Sequence, residues 1–538
     1  MRSAYDPIGS TVETTHARLV EEDPMGRKLP IIYVRGYGGG QSGIDALVED
    51  PFYGFNAGST HVRVGARGEP SFYQFESPLL RLMLDHDYDL EVNGGQLAWL
   101  RAQKDGKVAE ATIWIHRFYD EAASTFGKAP QEYRLERAAE NLLELVELVR
   151  RKTGAPRVYL VAHSMGGLVC RSMIQKVIPD QGGKATDYVD RLFTYATPHG
   201  GIEFDVGFGL FEKLRDRFGI NGADIFGPER MWEYLNPSAT RRRRPKNWDS
   251  RAIPATAFPI ERVFTLVGTN PEDYDVALGL SSKAVGVKSD GLVQIENAYV
   301  PGAKFAYVHR AHSGRYGIVN SEEGYQNLRR FLLGDLEVTA DLVGLRIPPE
   351  QGADARDLVW QAEVELAVRG LPILMHQQVA EHHCPVILNL PADAADRPQP
   401  LVTTFLIADP TVRPDNAETA RYTLHLKLFA VRQKRGIFDF RDHLEQTADF
   451  DDWLVVDIGA VNGELAAWAA WVSELDVTLR DYIPSGPPLV DDDATPRRWV
   501  KRFPLPEGAR RLFGADAALR LTVRDREGQA AEELSQPG

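Results

Sequence analysis

The residues best suited to chemistry in this sequence gather around Ser164. In Val161-Ala162-His163-Ser164-Met165-Gly166-Gly167 a serine directly follows an apolar run that reads as a strand and directly precedes a run compatible with a helix. A hydroxyl lifted onto so sharp a turn becomes a nucleophile once a neighbouring base takes its proton. Such a turn strains its backbone and brings the flanking residues close together, so they must be small, and Ala162 and Gly166 meet that demand. Attack on a carbonyl places negative charge on oxygen, which preorganised backbone N–H groups must receive. The amide of Met165, next after the serine, is one candidate donor.

The elements that must position this serine are legible on both sides of it. Short apolar runs at Ile31-Ile32-Tyr33-Val34, Ile113-Trp114-Ile115, Val158-Tyr159-Leu160-Val161, Leu192-Phe193, Val263 to Val267 and Phe305 to Val308 have the continuous apolar character of strands buried on both faces. Between the second and third, Leu135, Ala138, Leu142, Val146 and Val149 recur at helical spacing, with Gly154 at the place of a left-handed cap. Strand and helix alternate in this way up to a closing helix near Glu322 to Leu333, which predicts an α/β fold with a doubly wound parallel sheet over residues 1–335. From 336 to 538 the pattern changes to period-two alternation. Trp360, Ala362, Val364, Leu366 and Val368 show it, as do Tyr422 to Leu428 and Leu519 to Val523. With strands also expected at Leu401 to Ala408, Leu454 to Ile458 and Leu475 to Leu479, and a short helix at Glu464 to Trp471, this half predicts a second, all-β, sandwich-like domain.

The string Ala-His-Ser-Met-Gly-Gly resembles the nucleophile turn of the α/β-hydrolase lipases and esterases, some bacterial members of which also carry alanine as the first small residue. The resemblance implies an α/β-hydrolase sheet with a lid insertion, here over about 202–260, and no cofactor. It also implies a second oxyanion donor from the loop after an early strand. Val34-Arg35-Gly36-Tyr37-Gly38-Gly39-Gly40 occupies that place, so Tyr37 N–H joins Met165 N–H, while Arg35 stands where the family carries histidine. A glycine-rich phosphate loop is the competing reading, but no Gly-Lys-Ser/Thr follows. The family order of serine, acid, histidine points to Asp290 in Ser289-Asp290-Gly291-Leu292-Val293, with Asp205 and Asp275 as further carboxylates. For the base, His309 abuts the end of the last strand and His312 lies in the loop proper. The family pattern of a histidine shortly before an apolar stretch and a closing helix favours His312. Thr197-Pro198-His199-Gly200-Gly201 resembles a family loop that shapes the rim of the site, and His163 is expected to pack and hydrogen-bond rather than act as a second base.

Substrate readings come from the insertion and its surroundings. Phe204, Phe208, Phe211, Leu214 and Phe218 recur at helical spacing and offer an apolar face that covers the site or meets a lipid interface, or equally packs as an ordinary cap on the core. Arg35, His199, Phe204 and Phe208 are the candidate substrate contacts, and the aromatic stretches Phe52 to Phe55 and Phe72 to Phe75 read equally as pocket lining or as core. Arg241 to Arg244 reads as a solvated loop, or as a hold for an anionic headgroup. Glu381-His382-His383-Cys384 has adjacent histidines without a spaced partner, so no metal site is expected there.

The expected partner is therefore an ester or lipid substrate. A chain of 538 residues with a formal net charge of -14 lacks the basic face that nucleic acid would require. Two cysteines far apart in sequence, no apolar leader and no run long enough to span a bilayer together suggest a cytoplasmic protein. The C-terminal strands resemble no family and indicate no partner, which leaves a second reading in which that domain binds and the serine is silent.

Overall fold

The computed structural model describes residues 28–526 apart from 37–43, 46–47, 65–69, 92–94, 121–122, 124–133, 203–223, 241–242, 273–287, 315, 347–357, 389–396, 410–416, 433–447 and 494. Tyr37, Phe204, Asp205, Phe208, Phe211, Leu214, Phe218 and Asp275 lie outside the described residues, as do Arg241 and Arg242.

β1 (Ile31–Val34) is the spine of the N-terminal half. A hairpin of β2 (Ser59–Val64) and β3 (Pro70–Phe75) follows it. Then come β4 (Asp89–Leu90), β5 (Thr112–His116), β6 (Val158–His163), β7 (Val189–Tyr195), β8 (Val263–Gly268) and β9 (Lys304–Val308). All but the hairpin join one seven-stranded sheet in the order β4-β5-β1-β6-β7-β8-β9, with every neighbouring pair parallel. The residues of β1, β5, β6 and β8 are buried throughout, as helices on both faces require. β1 is flanked by β5 and β6, so the chain crosses from one half of the sheet to the other there.

The helix Leu135–Thr153 packs its apolar stripe on this sheet and ends at Gly154, whose φ of 80° lets its N–H reach Arg150 O at 2.8 Å. The closing helix Glu322–Leu333 is capped by Ser321, which accepts from Gly324 N. Tyr53 and Phe55, open between pocket and core in the sequence, are fully buried; Phe55 packs edge-on against Tyr33 with ring centroids 4.8 Å apart.

β10 (Leu336–Val343) begins two residues after Gly334 and opens an antiparallel region. It pairs with β14 (Gln399–Leu406) and β19 (Ala518–Asp525), and β18 (Arg498–Pro504) completes a four-stranded sheet in the order β14-β10-β19-β18. The second sheet holds β11 (Leu358–Val368), β12 (Leu374–Gln378), β13 (Val386–Leu388), β15 (Ala420–Arg432), β16 (Phe450–Val461) and β17 (Glu464–Trp471). Both sheets turn inward onto one core, where Leu336, Val338 and Leu521 of the first meet Trp360, Leu424 and Leu454 of the second.

Two expectations for this half are corrected. Glu464 to Trp471 is not a helix but the strand β17, paired antiparallel with β16 from Val461↔Glu464 to Leu454↔Trp471. Its alanines favour a helix in isolation. The turn before it overrides them, because Asn462 and Gly463 take φ of 55° and 81°, the two-residue hairpin conformation that Asn-Gly supplies. Leu475 to Leu479 is not a strand either; it follows a single 3-10 turn at Val472–Glu474 and runs on as irregular chain.

The two halves meet along β9, the last strand of the parallel sheet. Tyr307 N donates to His376 Nδ1 at 3.4 Å, and Asn327 Nδ2 donates to Met375 O at 3.0 Å. Phe405 inserts among Phe264 and Phe331, with ring centroids 6.1 and 5.4 Å away.

Candidate active site

Ser164 caps the end of β6, and the helix Met165–Ser172 starts with the next residue. Its φ of 55° and ψ of -132° lie in a region L-residues rarely occupy, a strain of about 1–3 kcal/mol that the surroundings must hold in place. They do so from three sides. Ser164 N donates to Tyr195 O at 2.9 Å, Gly167 N donates to Ser164 O at 3.0 Å, and Thr197 Oγ donates to the same carbonyl at 2.8 Å. The small neighbours are needed in space. A Cβ on Gly166 would lie 2.2 Å from Val34 O, and one on Gly36 would lie 2.5 Å from Ser164 Cβ. Thr197 and Gly36 stand in strings quoted from the sequence, but the contacts they make with Ser164 are visible only in the structure.

His312 Nε2 lies 2.9 Å from Ser164 Oγ, and His312 Nδ1 lies 2.9 Å from Asp290 Oδ2. The other carboxylate oxygen, Oδ1, accepts from Leu292 N at 3.0 Å and Val293 N at 2.8 Å, so the Asp290 rotamer is set by its own loop. Ser164, His312 and Asp290 are 6, 2 and 1% exposed, a setting in which polar interactions are weakly screened. Met165 is the first residue of its helix, so its N–H has no partner within that helix and sits at the positive end of the helix dipole beside Ser164.

A family model described as a PGAP1-like alpha/beta domain matches residues 119–218, the stretch that holds β6, Ser164 and β7. The N-terminal half has an α/β-hydrolase-like fold. No curated protein sequence matches the chain. Among solved structures, the chain is similar to Bacillus licheniformis lipase BlEst2 in mature form, at 18% identity over 58% of this chain and 93% of that one, with a TM-score of 0.29. It is also similar to the propeptide form of that lipase, at 12% identity over 82% and 96%, with a TM-score of 0.32. Phospholipase PlaB from Legionella pneumophila in complex with thio-NAD matches at 12% identity over 77% and 91%, with a TM-score of 0.31. At these scores the three are partial likenesses of shape that say nothing about substrate.

The remaining residues singled out from the sequence fall in different places around the hydrolase site. His309 lies at the junction with the β-domain, where its ring stacks on that of His382 with centroids 3.7 Å apart. His199 is corrected from the rim to the interior. It is fully buried, with Nε2 3.1 Å from Thr194 Oγ and Nδ1 3.4 Å from the buried Arg171 guanidinium. Burial, then the charge of Arg171, holds its imidazole well below the usual histidine range. Arg35 donates from Nη1 to Tyr53 O at 2.6 Å. His163 is buried and its Nε2 lies 2.9 Å from His312 O.

The β-domain reaches this site through Cys384, which shares a small apolar cluster with Val267, with Leu292 and Val293 next to Asp290, and with Ala311 beside His312. Of the cluster Glu381 to Cys384, His382 is occupied by its stack on His309, and the Cys384 thiol faces Val379 O at 3.7 Å. Among the described residues, no group of three or more His, Cys, Asp or Glu side chains is arranged to hold a metal ion. Among the same residues no helix is long and apolar enough to cross a membrane.

Proposed function

We propose that the hydrolase domain cleaves carboxylic acyl esters through an acyl-enzyme on Ser164. The observation that carries this reading is the unbroken hydrogen-bonded chain from Asp290 through His312 to Ser164 Oγ, on a strained strand-to-helix turn. In the proposed cycle His312 Nε2 takes the Ser164 proton as Oγ attacks the ester carbonyl carbon, and the oxygen that becomes negative is received by the N–H groups of Met165 and Tyr37. Collapse of the tetrahedral intermediate breaks the bond to the leaving alkoxide, which takes the proton from His312. Water, deprotonated by the same nitrogen, then releases the acid and restores the serine. Asp290 holds the Nδ1–H tautomer and stabilises the imidazolium.

Lipase, esterase, phospholipase, thioesterase and acyltransferase chemistry all pass through this intermediate; hydrolysis is our first choice over acyl transfer because it asks for no acceptor other than water. The reading includes a cytoplasmic setting, supported by Cys170 and Cys384, both unpaired and buried. It also includes contact between a lipid surface and the 202–260 insertion, supported by its phenylalanine spacing.

The test is covalent labelling with a fluorophosphonate, alongside turnover of p-nitrophenyl esters of rising chain length and of phospholipids. Labelling of the wild type, with no labelling and no turnover in Ser164→Ala, is the expected result. An unreactive Ser164 would overturn the proposal in favour of a binding protein whose β-domain selects its partner.

A further inference from the structure

We infer that His163 is a positioning residue for the base: its Nε2–H holds the main-chain carbonyl of His312 and so ties the base to the strand that carries the nucleophile. This rests on the triad reading above and adds a fourth side chain to it.

The geometry is specific. His163 is the last residue of β6, only 4% exposed, with Nε2 2.9 Å from His312 O and its ring centroid 5.0 Å from that of His312. A carbonyl only accepts, so Nε2 carries the hydrogen and Nδ1 is left as an acceptor. Nδ1 is buried and has no hydrogen-bond partner among the described residues. Phenylalanine or leucine would fill this space without burying an unpaired nitrogen, so packing alone does not account for the imidazole. Burial first, then the neighbouring His312 and Arg35, hold the His163 imidazole well below the usual range. It therefore stays uncharged beside the imidazolium that His312 becomes during the reaction.

The placement has a consequence for the cycle. His312 is bound to Asp290 by its ring and by its main chain, but Asp290 lies in the loop beyond β8, so those bonds join one late loop to another. The bond from His312 to Ser164 Oγ is broken and remade at every turnover. The His163 bond joins base and nucleophile strand without taking part in proton transfer, and keeps Nε2 of His312 in reach of Oγ while that proton is away.

The test compares His163→Gln, whose side-chain amide nitrogen can reach the place of Nε2, with His163→Asn, whose amide falls one bond short, and with His163→Phe, which keeps the ring and loses the donor. The readouts are kcat, KM, the rate of fluorophosphonate labelling of Ser164, and Tm. In Asn and Phe, kcat and the labelling rate should fall together by roughly 10- to 100-fold, the range expected of a misplaced reacting group, with KM within about twofold of wild type. Gln should recover most of that loss. If Phe fails to fold, the Gln and Asn pair alone decides. Equal kcat in Gln and Asn, or a loss that appears in KM and Tm but not in the labelling rate, would overturn the role of His163. Ser164→Ala run in parallel separates the two claims. Inactive Ser164→Ala with equal Gln and Asn rejects the role of His163 alone, whereas active Ser164→Ala rejects the triad and this role with it.

Discussion

His312 is bound to Asp290 twice: its Nδ1 lies 2.9 Å from Oδ2, and its backbone N–H donates to the Asp290 carbonyl, also at 2.9 Å. Ring and main chain of His312 are thus registered on one residue, and a substitution of the Asp290 side chain leaves the main-chain half in place.

Asp290→Asn is therefore expected to fold and to lose kcat by about 10³- to 10⁴-fold. The amide oxygen takes the place of Oδ1 and accepts from Leu292 N and Val293 N, which turns the amide NH₂ toward His312 Nδ1. Nδ1 must then accept, the ring hydrogen moves to Nε2, and that nitrogen can no longer take the serine proton. Ester hydrolysis at saturating substrate, with circular dichroism to check the fold, measures this. A loss below tenfold would remove Asp290 as the acid.

His309→Ala should separate junction from chemistry. Its ring stacks on His382 of the β-domain, so Tm should fall while kcat stays within about threefold of wild type. His312→Ala should match Ser164→Ala in severity, and the double substitution should be no worse than either alone. A kcat that collapses in His309→Ala would transfer the base to that residue.

Gly36→Ala tests the close approach of the β1 loop to the nucleophile. The added methyl would stand 2.5 Å from Ser164 Cβ, closer than carbon atoms approach, so either the turn or the loop must shift. A shift near 1 Å at the reacting hydroxyl predicts a fall in kcat on the order of 10²-fold. Unchanged kcat would show that the loop gives way freely.

Stability should fall on the acid side. Burial lowers His116 to about 4 and His376 to about 3, from an ordinary value of 6.5. In the unfolded chain both take up a proton as pH drops through 6.5, but in the folded protein they do not until far lower. The folded state is thus fully favoured above pH 6.5 and loses ground as pH falls from there toward 4 and 3. Urea midpoints measured between pH 7 and 4 should fall steadily, and His376→Gln should flatten the slope. A pH-independent midpoint over that range would contradict the burial of both rings.

The sequence by itself was enough for the features set by near neighbours. The elbow at Ser164 is local because strand, small residue, serine and glycine must be contiguous. The parallel strands are local because burial on both faces leaves an unbroken apolar run, as in Ile31 to Val34. The closing helix Glu322–Leu333 was legible for the same reason, its apolar spacing being continuous along the chain. What depended on distant partners was decided only by the tertiary structure. His309 and His312 differ by three residues on one loop, and it is the side-by-side placement of the parallel strands β6 to β9 that sets one beside Ser164 and the other against His382. His199 moved from the rim to the interior because Arg171, on another element, is buried against it. Glu464 to Trp471 carries a helical composition, yet the Asn462-Gly463 turn and pairing with β16 outweigh a propensity of a few tenths of a kcal/mol per residue, roughly. The contact of Cys384 with Leu292 and Ala311 joins residues 92 (384 − 292) and 73 (384 − 311) positions apart, and no local pattern encodes a contact that the packing of one domain on another creates.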